Sequence, residues 1–113
     1  VKGRRLPVPQ SATPNSVELY DLINSLAPGD YFGPVKGYAG DRPCVFFLKP
    51  NARDPDAPPR ARHWQYVASP PHVFTEETDG TLTITASISD LPFGGGQSDG
   101  WHGYLTRGEW KKC

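Results

Sequence analysis

The sequence has no methionine, only two cysteines, no excess of either charge and no long apolar run. Each shortage closes off a class of protein. No stretch approaches the ~20 apolar residues that a membrane-spanning helix requires, so the chain reads as one soluble domain with no membrane partner. Twelve basic against twelve acidic side chains lack the basic excess of an extended nucleic-acid footprint, and nucleic acid is set aside as a partner. Cys44 and Cys113 cannot make a disulfide framework. Either both are reduced thiols, with Cys44 packed inside a strand, or Cys113 is activated by Lys111 and Lys112 and cross-links to Cys44 or to another copy. No apolar stretch follows Val1-Lys2-Gly3-Arg4-Arg5, so no secretory signal is expected and synthesis in a cytosol is the simpler expectation.

What is present is aromatic and turn-rich. Val, Leu, Ile and Phe together number 23 of 113 residues, near the lower bound for a core, while thirteen aromatic rings each bury a large area. A small core follows, with stability leaning on tight turns, ring packing and a partner surface. Residues 1–12, with Pro7, Pro9 and three cations, read as an extended arm that needs something to lie on. The remainder, 13–113, reads as a single β-rich domain. Thr13-Pro14 has the form of an N-cap and first helical residue, and the apolar spacing predicts a helix over about 14–27, stopped by Pro28-Gly29. Leu19, Leu22, Ile23 and Leu26 share one face, expected to cover a sheet.

Short strands follow. Asp30 to Phe32 reads as one, and Cys44 to Leu48 is a continuous apolar run of the kind buried on both faces. Residues 49–62 hold Pro50, Pro55, Pro58 and Pro59 among mixed charges and are expected to protrude as a loop. From His63 to Val67, Trp64 and Tyr66 fall on one face and His63, Gln65 and Val67 on the other. Pro70 and Pro71 break that strand. Val73 to Thr75, the Asp79-Gly80 turn and the alternating Thr81–Ile88 segment form the clearest hairpin. Pro92 and Gly94, Gly95, Gly96 and Gly100 make a loop without phosphate-cradle spacing. Trp101 to Thr106 pairs back with Glu109 to Lys112 across Arg107-Gly108. The whole predicts a mainly β fold, a compact antiparallel sandwich or partly open barrel of about six or seven short strands with one N-terminal helix.

Chemistry finds few places. His63, His72 and His102 are the weak candidates for a metal site, which would suit zinc, but no pair has a spacing that converges locally, and neither metal nor cofactor is expected. Ser98 and His102 lack a nucleophile elbow. Glu76, Glu77 and Asp79 approach a hairpin tip, where solvation predicts ordinary ionisation. The Trp and Tyr rings would serve a stacking platform if exposed and the core if buried.

The segments HWQY, PPHVFTEETDGTLTITASI and GWHGYLTRGEW resemble a signature of small proteins of unknown function encoded by tailed bacteriophages and prophages. The resemblance covers His63 to Trp110, with Trp64, Thr83 to Ile88, and the W-H-G-Y-x-x-x-G-x-W pattern of Trp101 to Trp110 as its matching positions. It implies a phage-encoded protein, and a location in the virion is the expectation that the arm and the small core add. Joined to the arm and the small core, it gives the expectation of a non-enzymatic capsid decoration or tail accessory subunit that contacts other phage proteins, or further copies of itself. Arg4, Arg5, Leu6 and Val8 in the arm and Arg53, Arg60 and Arg62 in the loop are the expected contact residues. The alternatives are a phage-encoded intracellular effector that binds a host protein, and a small zinc-dependent enzyme using the three histidines.

Overall fold

The alternation within one strand decides the layering. The computed structural model describes residues 1–10, 13, 16–40, 42–53, 55, 56, 62–88 and 101–112. In it β2 (Arg42–Phe47) is the centre of an antiparallel sheet between β1 (Tyr31–Ala39) and β3 (Gln65–Ala68). Successive side chains leave a strand on opposite faces, so Cys44 and Phe46 point one way and Val45 and Phe47 the other. All four are 1% exposed or less, and both faces of the sheet must therefore be covered.

One face is covered by α1 (Val17–Asn24), whose Leu19 and Ile23 are buried against Phe32, Val35, Cys44, Phe46 and Ala68. Leu22, Leu26, Trp64 and Tyr66 pack half-buried around this layer. The opposite face meets a second sheet in the order β4 (Val73–Glu76), β5 (Leu82–Ile88), β6 (Gly103–Thr106), β7 (Glu109–Lys112), antiparallel throughout. Between the sheets lie Tyr31, Val45, Phe47, Leu82, Ile84, Ile88, Trp101, Leu105 and Trp110. The described residues thus form a mainly β fold of seven strands in two antiparallel sheets with one helix. The sheets do not close into a barrel, and Tyr31, Phe32, Phe46, Phe47, Trp101 and Trp110 are core rather than platform, whereas Tyr20 and Tyr104 are exposed.

The hairpins follow their turn chemistry. Gly80 takes φ 85°, and Asp79 Oδ1 accepts the Thr81 N–H at 3.1 Å. Arg107 (φ 47°) and Gly108 (φ 73°) give the two consecutive left-handed residues that a two-residue hairpin between Thr106 and Glu109 needs.

Three expectations need correction. The helix is eight residues long and is capped by Ser16, not Thr13: the Ser16 Oγ accepts the Leu19 N–H at 3.1 Å and that of Thr13 at 3.0 Å, so Thr13 stands outside the first turn. The helix ends at Asn24, before Pro28, where the Ser25 hydroxyl donates to Leu22 O at 2.7 Å and competes with the next helical turn. The strand begun near Asp30 continues to Ala39, because Pro34 falls at a register shift between Phe32 and Val35, where its missing N–H breaks no ladder bond. Finally, the start of the 49–62 segment turns inward: Lys49 and Ala52 are buried, with a 3-10 turn over Pro50–Arg53. The Lys49 ammonium donates to Trp101 O at 3.1 Å and lies 5.5 Å from the centre of that indole. Pro14, Arg60, the Gly94–Gly100 loop and Cys113 fall outside the described residues.

Candidate functional site

The N-terminal segment runs extended along the seam between the two sheets. Lys2 bridges antiparallel to Glu109 of β7, and Arg5 bridges parallel to Tyr31 of β1. The Trp110 N–H donates to Val1 O at 2.7 Å and the Gly3 N–H to Gly108 O at 2.7 Å; the Tyr31 N–H donates to Arg4 O at 3.0 Å and the Leu6 N–H to Tyr31 O at 2.9 Å. Residues 1–3 therefore extend the four-stranded sheet, and residues 4–6 extend the three-stranded one. Gly3 sits where they meet. A Cβ there would lie 2.7 Å from Gly29 O and 2.8 Å from Trp110 Nε1, closer than any side chain tolerates.

The two arginines that follow diverge. Arg4 reaches Asp30, its Nε and Nη2 donating at 3.3 and 2.9 Å to a buried carboxylate that also accepts the Ala27 N–H at 3.0 Å. Arg5 makes a fork onto Glu76, with Nη1 at 2.6 Å and Nη2 at 2.5 Å from the two oxygens. The same guanidinium donates to Gly80 O at 3.0 Å and Gly33 O at 2.8 Å. One side chain thereby ties the arm to the β4–β5 hairpin and to β1. Hydrogen bonding to Glu76 raises the Arg5 pKa, and hydrogen bonding from Arg5 holds Glu76 below its ordinary value. Asp79 is likewise lowered, first by the hydrogen bond from the Thr81 hydroxyl, so these carboxylates do not ionise as simple solvated groups. The expectation of unperturbed charges at this tip fails at Glu76 because Arg5 of the arm docks on it, and at Asp79 because Thr81 of its own turn bonds the carboxylate. Tyr31, whose hydroxyl accepts the Leu82 N–H at 3.4 Å, is raised by burial.

Beside this ion pair opens a groove of about 510 Å³, lined by Arg5, Leu6, Pro7, Val8, Gly33, Pro34, Glu76 and Gly80. Leu6 and Val8 are half-buried, with part of each packed on the helix-side core, while Pro7 and Pro34 are exposed. The groove has an apolar wall from arm and β1 and a charged, internally neutralised floor. Its chemistry suits contact with another chain's apolar side chains.

Of the expected contact residues, the structure gathers Arg5, Leu6 and Val8 at this groove. Arg4 is spent on Asp30, and Arg62 is exposed outside the lining. The Arg53 side chain and Arg60 lie outside the described residues. His63 and His102 are exposed and His72 half-buried, and among the described residues no three His, Cys, Asp or Glu side chains converge as a metal site would need. Sequence reasoning missed Glu76, Asp30 and Pro34 as members of this region. The 71-residue separation of Arg5 and Glu76 leaves no local signal for their pairing. No family model, curated protein or solved structure matches the chain.

Proposed function

We propose that the chain is a non-enzymatic structural or accessory protein of a tailed-bacteriophage virion, a capsid decoration or tail accessory subunit that works by protein contacts. The observation that carries the contact role is the groove beside the arm. There Leu6, Pro7, Val8 and Pro34 offer apolar surface, and the neighbouring charges are already paired, so a partner docks without leaving a bare ion buried. This refines the expected contact set: Arg4 and Arg5 hold the arm in place, and the apolar side chains that follow them, Leu6, Pro7 and Val8, face the partner. The resemblance of Trp64, Thr83–Ile88 and Trp101–Trp110 to small phage proteins supports the virion setting.

The test is mass spectrometry of purified particles. A virion subunit is present at a fixed copy number per particle, and Pro7→Glu, which alters an exposed residue of the groove, lowers its incorporation without unfolding the protein. Absence of the chain from intact particles would overturn the reading in favour of an intracellular effector.

A further inference from the structure

The four-stranded sheet ends at β4, and this edge has the marks of a pairing surface. In an antiparallel ladder, alternate residues turn both backbone groups toward the same neighbour. The Glu77 N–H donates to Thr81 O at 2.9 Å, and Thr75 and Val73 stand opposite Thr83 and Thr85, so the odd-numbered residues bond to β5. Phe74 and Glu76 therefore turn their N–H and C=O groups outward, away from the sheet. Val73, Thr75 and Glu76 are exposed, Val73 at 57%.

Natural edges are usually blunted by lysine, proline, a bulge or an unpaired charge. The segment Val73-Phe74-Thr75-Glu76 contains neither lysine nor proline and pairs with β5 without a register shift. Its one charge is neutralised by the fork from Arg5. Two such edges can therefore approach without opposing bare carboxylates.

We infer that β4 pairs antiparallel with β4 of a second copy of this chain, Thr75 lying on the two-fold axis, to join two four-stranded sheets into one continuous sheet. The register is self-complementary. Phe74 of each copy exchanges both backbone bonds with Glu76 of the other, which satisfies the outward groups of both strands. A shift of two residues, with Phe74 on the axis, would instead require the His72 N–H, which already donates to Ala68 O at 3.1 Å. Side chains agree with this choice. Phe74 packs at the margin of the inter-sheet core, and the pairing makes the two Phe74 rings diagonal neighbours within aromatic reach, so the two cores become continuous. The inference is independent of the virion role.

Light scattering of the full chain across a concentration series reads the association directly. The expected result is a monomer–dimer equilibrium whose dissociation constant rises about fivefold or more in Thr75→Lys, which places two like charges opposite each other on the axis. Thr75 is exposed, so the far-ultraviolet circular dichroism of Thr75→Lys stays unchanged. With Cys113 changed to Ser, Thr75→Cys forms a covalent dimer under mild oxidation, whereas Val73→Cys, four residues out of register with its own copy, does not. A protein monomeric at every concentration, a dimer indifferent to Thr75→Lys, or equal cross-linking at both positions would each overturn the inference.

Discussion

The two faces of the three-stranded sheet bury similar side chains by different means. Between the sheets the rings interlock, and the Tyr31 hydroxyl and the Trp110 indole each have a fixed bond. Trp110 lies 6.4 Å from Tyr31, 5.4 Å from Phe47 and 5.6 Å from Trp101, and its indole N–H donates to Gly29 O at 2.8 Å. On the helix side, Phe32 and Phe46 stack at 5.1 Å, but the cover is an eight-residue helix, half-buried Leu22, Leu26, Trp64 and Tyr66, and the arm's Leu6 and Val8. The first core is clamped by two hydrogen-bonded layers and the second by one short element that can settle. A cavity costs most where its walls cannot relax, so the same truncation has different consequences on the two faces.

The largest effect is expected for Trp110→Ala. It removes three ring contacts and leaves Gly29 O without its donor, and should cost about 4–5 kcal/mol in denaturant unfolding. Leu19→Ala opens the helix-side core, where α1 can move inward, and about 2–3 kcal/mol is expected. Leu105→Ala, the same truncation between the sheets, should cost about 1 kcal/mol more than Leu19→Ala, and equal losses at these two leucines would erase the contrast. Next comes Gly3→Ala. The added methyl meets Gly29 O and the Trp110 indole, and forcing the arm outward should cost about 1–3 kcal/mol, with the change concentrated in tryptophan fluorescence. Ser16→Ala leaves the Leu19 N–H uncapped for about 1 kcal/mol on the helix side alone.

The smallest effect is a pH dependence. Glu76 has a lower pKa folded than unfolded, so its stabilisation is complete above the ordinary value of 4.5 and is lost as pH falls through the lowered folded value. The pair is largely solvent-exposed on the carboxylate side, so less than about 1 kcal/mol is expected. Glu76→Gln should flatten the acid limb of stability against pH by that amount, whereas an unchanged limb would assign it to other carboxylates such as Asp79.

The parts of this architecture visible in the sequence are those set by neighbours. The continuous apolar run at Cys44–Leu48 announces a strand covered on both sides. Asp79-Gly80 and Arg107-Gly108 announce hairpins because Gly80 and Gly108 take positive φ that glycine accepts most readily. What stayed hidden depends on distant partners. Pro34 reads as a strand breaker until the register shift beside it is seen. Lys49 reads as solvated until Trp101 O and its ring close over it. Arg5 reads as a free cation for a partner, yet its four hydrogen bonds go to Glu76, Gly80 and Gly33 of the same chain. Only the apolar members of the expected arm site, Leu6 and Val8, could be recognised as groove-lining from composition alone, since apolar side chains in an otherwise polar arm need a surface to meet.

Whether the arm is the strand that joins the two sheets can be read from native-state amide hydrogen exchange. The Gly3 and Leu6 amides, which donate to Gly108 O and Tyr31 O, are expected to exchange as slowly as the Tyr31 and Trp110 amides that donate back to the arm. Exchange of Gly3 and Leu6 at the rate of a free peptide, with Tyr31 and Trp110 unprotected on that side, would contradict it.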